Sequence, residues 1–96
     1  MIPHEELQKA IELARKYEVD QFYLIGSASD PQIEEPHDYD FAVKGIPEEM
    51  FFKLYSELYM SLSKEIDLID LSGEMTKFKN IILKEGTLVY DKSSII

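Results

Sequence analysis

The segment DYDFAVK, residues 38–44, constrains the fold more than any other stretch, because its side chains alternate between polar and apolar positions. An alternation with a period of two predicts a β-strand that has one buried face. The buried face, which must meet helices, carries Tyr39, Phe41 and Val43. Asp38 and Asp40 fall on the opposite face. The sequence therefore predicts two carboxylates that point away from the core.

The other segments predict three helices and three further strands. Apolar residues at helical spacing, with proline and glycine at the boundaries, place the helices at residues 3–18, 47–62 and 74–84. Short apolar or alternating runs place the remaining strands at residues 21–25, 65–71 and 87–91. The order α-β-β-α-β-α-β predicts an α+β domain, with the helices packed on one face of the sheet and the carboxylates on the other.

A third carboxylate comes from the segment EIDLIDL, residues 65–71. By parity, Asp67 lies opposite the apolar face of this strand, whereas Asp70 lies on the helix side near the strand end. If the two strands are neighbours and pack on the same helices, Asp67 joins the aspartates of residues 38–44. Three carboxylates are then expected to converge on one face of the sheet.

A cluster of this kind is suited to divalent metal ions. Aspartates two residues apart along a strand have Cα atoms roughly 6–7 Å apart, so their oxygens can share one cation. Mg²⁺ prefers oxygen ligands and completes its coordination with water and substrate phosphates. Two such ions stabilise the attacking and leaving oxygens of an in-line phosphoryl displacement. An isolated Asp-x-Asp motif is weak evidence for a metal site, because exposed aspartates near a turn are more often simply solvated.

A Gly-Ser turn before the aspartates makes the pattern more specific. Gly26 allows the backbone to approach a phosphate closely, and Ser27 offers a hydroxyl and an N–H at the end of a strand. The residues that follow are expected to open a helical turn whose N-terminus favours anions. Taken alone, Gly-Ser is better explained as an ordinary turn. Together with the three aspartates, it indicates a phosphate cradle beside a metal site.

The length, cysteine content and charge of the chain exclude or disfavour several classes of function. A chain of 96 residues predicts one small domain, residues 1–96. The absence of cysteine excludes a thiolate zinc site, and with no apolar run long enough for a bilayer and no signal peptide we expect a soluble, cytoplasmic protein. The net charge of −9 disfavours direct binding of nucleic acid or anionic membranes. The acidic surface either provides solubility or complements a basic protein partner.

The segments LIGSASDPQIEEPHDYDFAV and EIDLIDL resemble the minimal nucleotidyltransferases of the DNA polymerase beta superfamily. The resemblance covers nearly the whole chain and implies the small nucleotidyltransferase fold with a mixed β-sheet. It implies that Gly26 and Ser27 bind the nucleotide phosphates and that Asp38, Asp40 and Asp67 bind two Mg²⁺ ions. The resemblance also implies that Asp67 helps to deprotonate the acceptor hydroxyl. The reaction implied is transfer of a nucleoside monophosphate, with ATP as the favoured donor.

One motif departs from the family pattern. Family members usually continue Gly-Ser with a basic residue and a second glycine, whereas this chain reads GSASDP. The missing positive charge removes a phosphate contact, and Asp30 adds an anion near an anionic substrate. His37 and Lys44 lie near the proposed site in the sequence, and both are interpreted as solvated surface residues.

The resemblance also implies a partner, because short members often act as the antitoxin beside a helical HEPN-type toxin. They neutralise the toxin by contact or by adenylylating its tyrosine. The alternative to an enzyme is a catalytically weak relative that acts only by binding its partner. Whether the protein forms an oligomer is left open. Transfer to a small molecule is less favoured, since no second domain would enclose it. Four aromatic residues of the second helix are too many for one narrow stripe, so some are expected to be exposed or covered by another chain: Phe51, Phe52, Tyr55 and Tyr59. The alternative is a small core that needs wide aromatic rings.

Overall fold

The computed structural model describes residues 1–94. Its helices are α1 (His4–Lys16), α2 (Glu48–Ser61) and α3 (Lys77–Glu85). Its strands are β1 (Gln21–Ile25), β2 (Asp38–Lys44), β3 (Glu65–Asp70) and β4 (Thr87–Asp91). No helix in this part of the chain is long and apolar enough to cross a membrane.

The four strands form one mixed sheet in the order β3-β2-β1-β4. Strand β1 pairs antiparallel with both β2 and β4, and β2 pairs parallel with β3. A parallel pair needs a crossover connection, which α2 provides. The predicted α+β fold class with a mixed sheet is confirmed.

The main core lies between α1, α2 and one face of the sheet. The alternation of β2 is the reason, since it delivers Tyr39, Phe41 and Val43 to this face with almost no exposure. Phe41 stacks on Phe22 of β1, with ring centroids 4.9 Å apart. The predicted apolar face of residues 38–44 therefore meets these two helices.

Helix α3 packs against the opposite sheet face, the one that carries the aspartates. Ile82 of α3 forms a second buried cluster with Tyr23, Ala42 and Leu71. The prediction that the helices pack only on the face opposite to the carboxylates is therefore wrong for α3, because Ile82 finds its apolar partners on the carboxylate face. The carboxylates share their sheet face with α3, and Asp40 precedes the buried Ala42 by two residues on β2.

The helix boundaries differ slightly from the predicted ones. The third helix begins at Lys77 rather than at residue 74, because Thr76 caps it by accepting a hydrogen bond from the Lys79 N–H at 3.1 Å. The first helix begins at His4, with Pro3 in the capping position, and it ends at Lys16. Glu18, just beyond it, has a positive φ of 53°, which a helix does not permit.

Candidate active site

The pairing of β2 with β3 brings the three aspartates of interest onto adjacent strands. Asp40 and Asp67 are direct partners in the parallel register, and Asp38 precedes Asp40 by two residues on the same face. Asp38 and Asp67 are exposed, whereas Asp40 is half-buried. The structure therefore places Asp40 between two other carboxylates.

The electrostatics of Asp40 reflect this crowding. Burial raises the pKa of Asp40 above its ordinary value of 3.8, and the negative charges of Asp38 and Asp67 raise it further. Within residues 1–94, none of these three carboxylates takes part in an ion pair. The site thus concentrates negative charge without a basic side chain to neutralise it.

Other aspartates of the chain have structural roles that these three lack. Asp30, Asp70 and Asp91 each accept a hydrogen bond from the backbone N–H two residues later, at 2.8, 2.9 and 2.9 Å. Such bonds stabilise local turns. Asp70 is half-buried at the end of β3, and this bond to the Ser72 N–H gives it a turn-forming role. The contrast distinguishes carboxylates that bond to the backbone from Asp38, Asp40 and Asp67, whose side chains accept no hydrogen bond from residues 1–94.

The Gly-Ser turn lies directly against Asp40. Ile25, the last residue of β1, pairs with Asp40, and Gly26 follows with a positive φ of 67°. A Cβ atom on Gly26 would lie 2.7 Å from Oδ2 of Asp40, so only glycine fits here without displacing the carboxylate. The turn and the aspartates therefore form one continuous surface.

The residues after Gly26 form a single 3₁₀ turn, Gly26–Ser29, instead of a longer helix. The Ser29 hydroxyl donates to the Gly26 carbonyl at 2.8 Å, and the Ile2 N–H donates to the Ala28 carbonyl at 2.8 Å. Ser27 is half-exposed beside the carboxylates. The expected helix N-terminus is therefore reduced to one short, anchored turn.

Two residues near the motif in the sequence do not extend the site. His37 is exposed at the end of the loop, and Lys44 is exposed four residues beyond Asp40 on β2. Lys44 pairs with Gln21, at the end of the sheet opposite to the Gly-Ser turn.

Sequence reasoning missed the buried apolar residues that lie next to the carboxylates. Ala42 and Leu71 lie on the aspartate face and are buried beneath α3. The signal was present, because apolar residues at these positions of an otherwise polar face indicate that something covers them.

The donor set fits a divalent cation in its chemistry. The three side chains offer only carboxylate oxygens, which hard cations such as Mg²⁺ prefer, and their mutual repulsion would be relieved by positive charge. Among residues 1–94, no three acidic or histidine side chains are already gathered into a metal-binding arrangement.

The fold and the site define a class of protein: a small α+β domain whose mixed sheet presents aspartates beside a Gly-Ser turn. The sequence model described as "Polymerase beta, Nucleotidyltransferase" matches residues 8–95. The chain therefore belongs to the polymerase beta nucleotidyltransferase family, which confirms the resemblance seen in the sequence. No sequence among curated proteins matches the chain.

Solved structures with the same fold come from toxin–antitoxin complexes. A chain of a toxin–antitoxin structure with AMP-PNP is 24% identical, with a TM-score of 0.72 over 88% of this chain and 73% of that chain. A chain of the MntA-HepT complex is 21% identical, with a TM-score of 0.70 over 93% and 73%. A chain from the complex of a tri-AMPylated Shewanella oneidensis HEPN toxin with its MNT antitoxin is 23% identical, with a TM-score of 0.69 over 91% and 71%. These likenesses show the shared fold.

Proposed function

We propose that this protein is a metal-dependent nucleotidyltransferase that transfers AMP from ATP to a hydroxyl of a protein partner, acting as the antitoxin of a HEPN-type toxin. The observation that carries the proposal is the placement of Asp40 between Asp38 and Asp67, directly against Gly26. Family membership supports the reaction class. The structural neighbours, which include an AMP-PNP complex and an AMPylated HEPN toxin, support the nucleotide and the partner.

The carboxylates have a direct role in this proposal. Asp38, Asp40 and Asp67 would hold Mg²⁺, which supplies positive charge to the triphosphate and to the oxygens that enter and leave the α-phosphorus. The same charge would lower the raised pKa of Asp40 and keep that side chain ionised. Without the cation, the negative charge of these three residues would repel an anionic nucleotide.

The Gly-Ser turn orients the nucleotide. Gly26 leaves room for a phosphate oxygen close to the backbone, and the Ser27 hydroxyl donates to that oxygen. The 3₁₀ turn and its bond to Ile2 hold these two groups in place. The turn thus positions the phosphates next to the three aspartates.

The transfer step is a displacement at the α-phosphorus. The acceptor hydroxyl oxygen forms a bond to this phosphorus while the bond to the bridging oxygen of pyrophosphate breaks. Asp67, exposed on the edge strand β3, accepts the proton of the hydroxyl. The products are an AMP ester of the partner and free pyrophosphate.

The experiment is transfer of labelled AMP to a HEPN-type toxin that the protein neutralises. We expect magnesium-dependent labelling by the wild type and none by Asp38→Asn/Asp40→Asn. The variant Glu48→Gln/Glu49→Gln is the matched control, because it removes the same charge from exposed positions on α2. Equal labelling by the wild type and the aspartate variant would remove these residues from the reaction.

A second candidate function is neutralisation by contact alone. The turn reads GSASDP, which lacks the usual basic residue and adds the anion Asp30, and both differences weaken its attraction for phosphates. In this case Asp38→Asn/Asp40→Asn would still bind and neutralise the toxin. Loss of neutralisation together with loss of AMP transfer would instead favour the enzyme.

A further inference from the structure

Glu6 is a buried carboxylate that takes no part in the proposed reaction. Within residues 1–94 it is the one charged side chain among the buried residues, with 9% of its surface exposed. A buried carboxylate is costly unless hydrogen bonds satisfy its oxygens. The Ser63 N–H donates to Oε1 of Glu6 at 2.9 Å, and the Ser63 hydroxyl donates to the same oxygen. Glu6 therefore bonds α1 to the segment between α2 and β3.

The groups around Glu6 lead directly to the strands of the candidate active site. Ser63 lies two residues before the start of β3, and the first residue of β3 pairs with Asp38 in the parallel register. The Tyr39 hydroxyl lies beside both Glu6 and Ser63. Tyr39 stands between Asp38 and Asp40 on β2 and points to the core. Glu6 thus reaches both aspartate-bearing strands from the core side of the sheet.

The same end of α1 also holds the Gly-Ser turn. The Ile2 N–H donates to the Ala28 carbonyl at 2.8 Å, and both residues are buried in the main core. Only four residues separate Ile2 from Glu6. Residues 2–6 therefore contact two parts of the candidate site from below: the phosphate-binding turn and the paired strands β2 and β3.

We propose that Glu6 is a positioning residue for the metal site, an inference that rests on the proposed function. By holding the start of β3 against β2, Glu6 fixes Asp67 relative to Asp38 and Asp40. Ligands bind a metal tightly only when supporting contacts hold them within about 0.5 Å of the required geometry. Glu6 itself touches neither metal nor substrate. Its loss should therefore weaken metal binding while all three ligands remain.

The experiment is calorimetric titration of ATP at a series of Mg²⁺ concentrations, which gives the Mg²⁺ concentration needed for half-maximal ATP binding. Glu6→Gln removes the charge of the anchor. Ser63→Ala removes the hydroxyl donor at an exposed position, and Ser63→Thr retains that donor. The matched control is Glu57→Gln, because Glu57 also joins α1 to another element through hydrogen bonds from Lys16 and Tyr17, at the other end of α1. Circular dichroism checks the fold of each variant.

We expect Glu6→Gln and Ser63→Ala to raise the half-maximal Mg²⁺ concentration about tenfold. Excess Mg²⁺ should restore their ATP binding, because the carboxylate ligands are still present. Ser63→Thr and Glu57→Gln should match the wild type. Asp38→Asn/Asp40→Asn, which lacks two ligands, should not be restored by excess Mg²⁺.

An unchanged Mg²⁺ requirement in both Glu6→Gln and Ser63→Ala would overturn the positioning role and leave the proposed function intact. An equal rise in Glu57→Gln would also overturn it, because any loosening of α1 would then have the same effect. If the wild type bound no ATP at any Mg²⁺ concentration, the proposed function itself would fail, and this inference with it.

Discussion

Replacing Asp40 by asparagine should stabilise the metal-free protein, although it removes a proposed metal ligand. Asp38 lies two residues away on the strand, roughly 6–7 Å between Cα atoms, and Asp67 is the direct partner on a strand about 4.8 Å away. At these separations each repulsion is worth about 0.6–0.9 kcal/mol in water, and salt at physiological strength reduces it by about half. The substitution also removes the cost of burying a charge. We therefore expect the free energy of unfolding to rise by about 0.5–1 kcal/mol.

The gain should depend on pH in a defined direction. Because the pKa of Asp40 is raised in the folded protein, its charged form destabilises the fold at any pH above that pKa. The advantage of the variant is therefore complete at neutral pH, shrinks as pH falls through the folded pKa, and vanishes below the ordinary value of 3.8. At pH 7.5, the gain corresponds to a rise in Tm of roughly 2–8 °C.

The assay is thermal unfolding followed by circular dichroism in EDTA, at pH 7.5 and again below pH 3.8. Asp30→Asn serves as the control, because an asparagine side chain still accepts the hydrogen bond from the Gln32 N–H. That variant should show no comparable gain. An Asp40→Asn protein with an unchanged or lower Tm at pH 7.5 would refute the claim that burial and the neighbouring carboxylates together disfavour the charged form of Asp40.

Two further substitutions test the groups around the site. Gly26→Ala combines a φ of 67° with a contact of 2.7 Å to Asp40, so urea unfolding should show a loss of about 1–3 kcal/mol, and an unchanged midpoint would contradict the close packing. Burial alone would raise the pKa of Glu6, but hydrogen bonds from Ser63 lower it overall. Glu6→Gln should therefore cost about 1–2 kcal/mol at neutral pH, and this cost should disappear as pH falls through the lowered pKa, as measured by urea midpoints from pH 7 to pH 3.

The placement of the aspartates could be predicted because strand parity depends only on the sequence. Tyr39 and Phe41 alternate with Asp38 and Asp40, so burying the aromatic pair leaves no choice for the carboxylates. The sequence also indicated that some aromatic residues of α2 would be exposed, but it did not distinguish Phe52 and Tyr59 from the other two.

Other features depend on contacts between distant segments and were not predictable. The face to which α3 packs is decided by whether Ile82 meets Ala42 or the main core, and its helical pattern is compatible with both. The short 3₁₀ turn after Gly26 depends on the bond between Ile2 and Ala28, which are far apart in the sequence. Local periodicity contains no information about either contact.

The most direct measurement of the proposed site is calorimetric titration of ATP into the protein, with and without Mg²⁺. The wild type should bind ATP only when Mg²⁺ is present, and Asp38→Asn/Asp40→Asn should lose that binding while it keeps its fold. Equal, metal-independent binding by the wild type and the variant would contradict a nucleotide site built on these carboxylates.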